Sequence, residues 1–170
     1  NTSLGVLENT CNKGGGSFYT LDEIKPIQKR CKDKGLKLHL DGARLFNALV
    51  ETNEAPAAYG EAFDSISICL SKGLGAPVGS LLLGNAAFIK KAKRFRKVMG
   101  GGMRQAGLLA AAGLFALKNN VERLKIDNDR AKELGASLEI QDYVQAVRPV
   151  KSNIVIFDLK IKNSAEEFLN

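Results

Sequence analysis

Asp41 and Lys72 are the two residues whose chemistry can be stated before any fold is known. Asp41 closes a short alternating run, Lys37-Leu-His-Leu-Asp41. Lys72 follows an apolar, β-branched run, Ser65 to Leu70, with only Ser71 between. A carboxylate and a lysine buried together can be a plain ion pair. They can also serve a pyridine cofactor that carries an aldehyde. The amine then forms an imine with the aldehyde, and the carboxylate keeps the ring nitrogen protonated so that the ring accepts electrons. A negative neighbour favours that charged nitrogen. Their spacing alone, thirty-one residues, does not choose between the two readings.

The elements that would position the pair alternate between strand and helix. Ser3 to Leu7 reads as a strand, and Cys11 to Ser17, with Gly14 to Gly16, as a loop. Thr20 to Lys34 has helical periodicity through Leu21, Ile24, Ile27 and Cys31. Thr20 and Glu23 have capping-box spacing, Pro26 would let the regular helix start later, and Gly35 suits the C-cap. Lys37–Asp41 is a strand, Ala43 to Glu51 a helix, Ser65 to Leu70 a strand, and Ser80 to Leu83 another strand after Gly-Leu-Gly-Ala-Pro-Val-Gly79. Three helical patterns follow, Ala86 to Met99, Gln105 to Lys118 and Val121 to Gly135. Val144 to Val147 and Asn153 to Leu159 then read as strands on either side of Pro149. The alternation predicts an α/β fold with a mostly parallel sheet and a domain boundary inside the third helix, near residues 120–140. In such sheets ligands sit at the carboxyl ends of the strands, where Asp41, Ser71 and Lys72 fall.

The 170 residues suffice for a domain with a core, and the net charge is +7. Much of the excess lies in Lys90-Lys-Ala-Lys-Arg-Phe-Arg-Lys97, a helix with a solvated basic face and Ile89, Ala92, Phe95 and Val98 on another. A charge run of this kind is weak evidence for nucleic acid, and no aromatic-interleaved basic motif or zinc spacing supports it. Cys11, Cys31 and Cys69 are scattered and odd in number, which argues against a disulfide framework or metal cluster and for a reducing, cytoplasmic setting. No apolar run approaches the roughly 20 residues of a membrane helix. The N-terminus has neither an initiator Met nor a signal-peptide pattern. Residues 163–170 read as a helix just begun, with Ser164 and Glu167 at capping-box spacing. Both ends therefore read as interior sequence of a longer protein.

Four segments carry a resemblance. Leu40-Asp-Gly-Ala-Arg-Leu-Phe-Asn-Ala48 closely resembles the aspartate region of the threonine aldolase family, and Ser67-Ile-Cys-Leu-Ser-Lys-Gly-Leu-Gly-Ala-Pro-Val-Gly-Ser80 resembles its cofactor-lysine region. Met99-Gly-Gly-Gly-Met-Arg-Gln-Ala-Gly107 and Ala-Leu-Lys-Asn-Asn-Val121 match in the same order, and the low-specificity form is the nearest in pattern. The resemblance implies fold type I of the pyridoxal-phosphate-dependent transferases. Residues 1–125 would form the C-terminal half of the large, mostly parallel-sheet domain. Residues 126–170 would form an interdomain helix and the beginning of a small α+β domain. It implies pyridoxal 5'-phosphate as cofactor, a small β-hydroxy amino acid as substrate, a dimer or tetramer with sites between subunits, and no nucleic-acid or membrane partner.

Roles follow by the same resemblance. Lys72 would hold the cofactor as a Schiff base, with Ser71 beside it, and Asp41 would pair with the ring nitrogen. Arg44 would bind the substrate carboxylate through its bidentate fork. Arg104, after Gly100 to Gly102, would help hold the cofactor phosphate, across a subunit boundary in one arrangement. Read without the resemblance, those glycines serve equally well as a flexible connector. A base would take the proton of the threonine β-hydroxyl, the Cα–Cβ bond would break, and acetaldehyde and glycine would form. Family members also draw a phosphate-binding loop, a ring-stacking histidine and a further arginine from outside the matching region. The 170-residue chain alone is therefore expected to be inactive.

Other readings stand beside these. Gly73-Leu-Gly75 with Gly79 does not fit a dinucleotide fingerprint, because Pro77 interrupts the spacing and a strand follows. Cys11 stands where the family often has a histidine. A thiol poorly replaces an imidazole as a base, and a small space-filler is the plainer reading. His39, the only histidine, shares a strand face with Asp41. It can orient Asp41 from behind or simply be satisfied by its neighbours. An aminotransferase, a β-eliminating lyase or a serine hydroxymethyltransferase relative would keep Lys72 and Asp41 and change the pocket. A non-catalytic piece would use the basic helix instead.

Overall fold

The structure is a computed structural model and describes residues 2–160. The expected helix start at Ser164 and Glu167 lies outside the described residues. Among the described residues twelve elements follow one another: β1 (Leu4–Glu8), α1 (Leu21–Asp33), β2 (Lys37–Asp41), α2 (Leu45–Thr52), α3 (Pro56–Ala62), β3 (Ser65–Cys69), β4 (Ser80–Gly84), α4 (Ala86–Val98), α5 (Gly107–Asn119), α6 (Leu124–Glu139), β5 (Val144–Val147) and β6 (Phe157–Leu159).

The first four strands form one sheet in the order β1-β2-β3-β4. β1, β2 and β3 are parallel, with Glu8 opposite Asp41 and Asp41 opposite Ser67. β4 runs antiparallel, pairing Ser80 with Cys69. β5 and β6 form a separate antiparallel pair. The architecture is α/β with a mixed, mostly parallel sheet, as the alternation predicts.

Alternation along the strands decides which face is covered. Leu38 and Leu40 of β2 and Ile66 and Ile68 of β3 are buried against Ile24 of α1, Leu45 and Leu49 of α2 and Tyr59 and Ala62 of α3. Burying each large side chain contributes roughly 1.5–3 kcal/mol. The opposite face carries His39 and Asp41 of β2, with Val6 and Glu8 opposite them on β1 and Ser65 and Ser67 on β3. Val6 is 56% exposed there.

Local chemistry explains three departures from the sequence reading. Pro26 lies inside α1 and does not delay it, because the capping box at Thr20 and Glu23 starts the helix at Leu21. α3 has no side-chain cap, and Pro56 takes its first turn, where a missing N–H costs nothing. It is held instead by the fully buried Tyr59, whose hydroxyl donates to Glu54 Oε2 at 2.7 Å. β6 begins only at Phe157. The preceding stretch is drawn elsewhere, since buried Ser152 donates to the Gly16 carbonyl at 2.8 Å and the Ile156 side chain packs over Gly15. No helix among the described residues is long and apolar enough to cross a membrane.

Candidate functional site

The carboxyl ends of β1, β2 and β3 lie side by side and bring together three chain segments. They are Glu8 to Thr10, Asp41 to Arg44 and Cys69 to Lys72. Asp41 is half-buried on the face away from the helical core. Its Oδ1 accepts from the Ala43 amide at 3.2 Å, and its other oxygen has no hydrogen-bond partner among the described residues. The main chain around it is tied to both neighbouring strands. The Asn9 amide donates to the Asp41 carbonyl at 2.9 Å, and the Gly42 amide donates to the Ser67 carbonyl at 2.8 Å. Gly42 passes so close to β3 that a Cβ would meet the Ser67 carbonyl oxygen at 2.9 Å. The Asp-Gly step is therefore a packing requirement of this edge.

Ser71 and Lys72 are exposed on the turn after β3. The Lys72 amine has no hydrogen-bond or ion-pair partner among the described residues, and the structure does not join it to Asp41 directly. Its main chain, by contrast, is held at three successive carbonyls. The Lys72 carbonyl accepts from the Gly75 amide at 2.9 Å. The Gly73 carbonyl accepts from Arg123 Nη2 at 2.7 Å, and the Leu74 carbonyl from Asn120 Nδ2 at 2.7 Å. A Cβ on Gly73 would fall 2.7 Å from Leu124 Cδ2. Leu124 is packed with Leu70, Leu74, Ala76 and Ala116, so the loop is seated on the junction of α5 and α6.

Arg44 is the residue before α2 and lines a narrow crevice with Asn47, Cys69, Gly73 and Leu124. That places it between the Asp41 and Lys72 segments, and its guanidinium has no polar partner among the described residues. Arg104 is exposed in the connection between α4 and α5, three residues before α5 begins, and makes no hydrogen bond or ion pair with the other site residues.

His39 Nδ1 lies 2.8 Å from Ser65 Oγ, and the ring also borders a cleft with Ser65 and Phe88 away from the carboxyl edge. No hydrogen bond connects it to Asp41. Cys11 opens the loop after β1, where its amide donates to the Ser17 carbonyl at 2.7 Å. Next to it, Thr10 Oγ1 is buried with no hydrogen-bond partner among the described residues. Thr10, Asn120 and Arg123 are not marked as site residues by the sequence, although Asn120 lies in one of the four resembling segments. Their significance comes from pairings, or a missing pairing, that only the folded chain defines.

The family model described as beta-eliminating lyase matches residues 1–162. The chain is 42% identical over 159 residues to a low-specificity L-threonine aldolase of Candida albicans, covering 94% of this chain and 41% of that protein. It is 49% identical over 148 residues to the low specificity L-threonine aldolase of Escherichia coli strain K12, covering 83% of this chain and 44% of that one. The solved structure of Leishmania major threonine aldolase superposes with a TM-score of 0.73 at 25% identity, over 91% of this chain and 46% of that chain. The chain thus spans less than half the length of these relatives.

Proposed function

The chain belongs to the beta-eliminating lyase family, and on that premise we propose that the whole protein is a pyridoxal-phosphate-dependent aldehyde-lyase cleaving L-threonine or L-allo-threonine to glycine and acetaldehyde. The observation that carries this reading is the shared carboxyl edge. Asp41 and the Lys72 turn leave neighbouring parallel strands there. The names of the relatives favour threonine as substrate. The donor set fits the cofactor: among the described residues it offers a free amine, a carboxylate with one uncommitted oxygen and, at Thr10, a buried hydroxyl without a partner.

Pyridoxal phosphate, when bound, supplies an aldehyde for an amine and a ring that accepts an electron pair. Lys72 would hold it through the ε-amine, with Ser71 beside it. Asp41 would keep the proton on the ring nitrogen. Arg44 grips the substrate carboxylate, which suits its planar, permanently charged fork. Arg104 contributes to the phosphate. In the overall reaction a base would remove the β-hydroxyl proton, the Cα–Cβ bond would break, and acetaldehyde and glycine would be the products. Cys11, in the loop after β1, and His39, two residues deeper along β2 than Asp41, are the candidate positions for a base or a supporting contact. A thiol is a poor substitute for an imidazole as a general base, and His39 is engaged with Ser65 instead.

In this reading residues 1–125 belong to the cofactor domain, and residues 126–170 are the connecting helix and the beginning of a smaller domain. The exposed apolar residues Phe95, Val98, Met99, Met103 and Leu108 favour an oligomer, a dimer or tetramer. Amino-acid metabolism in the cytoplasm is the setting proposed.

Full-length protein loaded with pyridoxal phosphate is expected to release acetaldehyde from L-threonine without forming a keto acid. It is also expected to carry a visible absorption band that Lys72→Ala removes. Keto acid in place of acetaldehyde, or a band that survives the substitution, overturns the reading. The 170-residue chain alone is expected to release no acetaldehyde.

A further inference from the structure

Two of the three carbonyls that follow the Lys72 side chain are held by residues 46 and 50 positions later in the chain. Asn120 reaches the Leu74 carbonyl from the end of α5, and Arg123 reaches the Gly73 carbonyl from the start of α6. Arg123 is itself oriented, because its Nη1 donates to Asp127 Oδ1 at 2.9 Å one turn along α6. The planar fork thus spans from a helix carboxylate to a loop carbonyl, a geometry that a lysine cannot reproduce with two nitrogens. Leu124, 1% exposed, fills the space beside Gly73 and blocks the loop from sliding toward the helix.

A lysine side chain has four rotatable bonds and reaches its target along many paths. What a protein can fix is the Cα from which the chain starts. Here the restraint on the main chain next to that Cα comes from outside the loop. The same helix α6 is also bound to α2 through Asn128 and Asn47, directly after the Asp41–Arg44 segment. One helix therefore references both segments of the candidate site.

We propose that Asn120 and Arg123 are positioning residues for Lys72. They act through the Leu74 and Gly73 carbonyls to hold the lysine where its amine meets the cofactor aldehyde. This rests on the assignment of Lys72 as the cofactor lysine. Both side chains are engaged with the loop carbonyls, and Arg123 also with Asp127, so their proposed role needs no contact with cofactor or substrate. Loosening the clamp therefore acts on the lysine–cofactor linkage and leaves substrate binding in place.

The test uses the full-length protein loaded with pyridoxal phosphate, with Asn120→Ala, Arg123→Ala and Arg123→Lys. Four quantities are read: the pH midpoint of the visible band, the dissociation constant for pyridoxal phosphate, kcat and KM for L-threonine, and the thermal midpoint of the cofactor-free protein. The alanine variants are expected to shift the band's pH midpoint and to weaken cofactor binding at least about threefold. They should lower kcat about tenfold while KM stays within about twofold, since an interaction used after substrate binding appears in kcat. Arg123→Lys keeps the charge but not the fork, and is expected to lie between wild type and Arg123→Ala.

A fall in thermal midpoint with the band midpoint, cofactor affinity and kcat unchanged would mean that the contacts only stabilise the fold, and overturns the proposal. If Arg123→Ala does not fold, Asn120→Ala and Arg123→Lys decide it by the same readings. A wild-type protein with no band, or a band that survives Lys72→Ala, removes the lysine assignment and this proposal together. A Lys72-dependent band that the clamp variants leave unmoved removes this proposal alone.

Discussion

Asn128 donates from Nδ2 to the Asn47 carbonyl at 2.9 Å and accepts at Oδ1 from Asn47 Nδ2 at 3.0 Å. Its second Nδ2 proton goes to Glu51 Oε1, also at 2.9 Å. Both asparagines are buried, so every polar atom of the Asn128 side chain is satisfied inside the junction of α2 and α6.

Asn128→Ala should therefore destabilise the protein well beyond a typical surface change. It strands the Asn47 side-chain amide and takes one partner from the Asn47 carbonyl, and an unsatisfied buried polar group costs about 1–3 kcal/mol. Urea denaturation of the variant is expected to show a lower midpoint with an unchanged slope. A midpoint equal to that of wild type would mean that water enters the junction and replaces the lost partners.

Glu51 gives this junction a pH dependence. Burial pushes its carboxyl up, but the hydrogen bonds from Lys132 and Asn128, together with the Lys132 and Lys125 charges, outweigh that and hold it below its ordinary value of 4.5. A depressed carboxylate contributes stability that is present above the unfolded value and lost as pH falls through the folded one. Stability should thus decline as pH drops below 4.5 and keep declining through the lower folded value. Glu51→Gln should flatten that acid limb in denaturation curves measured across the range; an equally steep limb in the variant would assign it to other carboxylates.

Gly73→Ala should be costly although the backbone there needs no special conformation. The added methyl meets Leu124 Cδ2 at 2.7 Å inside a packed cluster, and overpacking of this kind costs about 1–3 kcal/mol. Pairing it with Leu124→Val, which shortens the opposing side chain, should recover part of the lost stability in thermal unfolding. Additive losses in the double variant would show that the two side chains do not compete for one space.

Asp41→Asn keeps the shape and removes the charge. If Asp41 faces the ring nitrogen, acetaldehyde release should fall by about 10²–10³-fold, the range seen when a single electrostatic partner of a reacting group is removed. Arg44→Lys should act differently and raise KM for L-threonine more than it lowers kcat, because a point charge replaces a bidentate fork. Steady-state kinetics on both variants would separate the two roles, and the opposite pattern would exchange the assignments.

Much of this arrangement is legible in the sequence because it is local. β2 occupies Lys37–Asp41 as its alternation predicts, and the Thr20–Glu23 box starts α1 where the side chains require. α3 is not legible, because Pro56-Ala-Ala-Tyr-Gly-Glu-Ala62 is short, carries no cap and is held mainly by burial of Tyr59. The Asp41, Arg44 and Lys72 segments are marked by their flanking residues, and the structure brings Arg44 and Gly73 to one crevice. The seating of the Lys72 turn is invisible to periodicity. It depends on two side chains meeting main-chain carbonyls that no pattern within a helical window connects.

The antiparallel turn of β4 has a consequence for the order of assembly. Cys69 and Ser80 pair across a short loop, and forming such a hairpin takes on the order of microseconds. The contacts from Asn120 and Arg123 must instead close several times as much chain, and they exist only once α5 and α6 have docked. A refolding chain therefore forms the hairpin around Lys72 first and fixes its geometry last. Capture of pyridoxal phosphate should then report the docking of those helices, a later event than formation of the sheet.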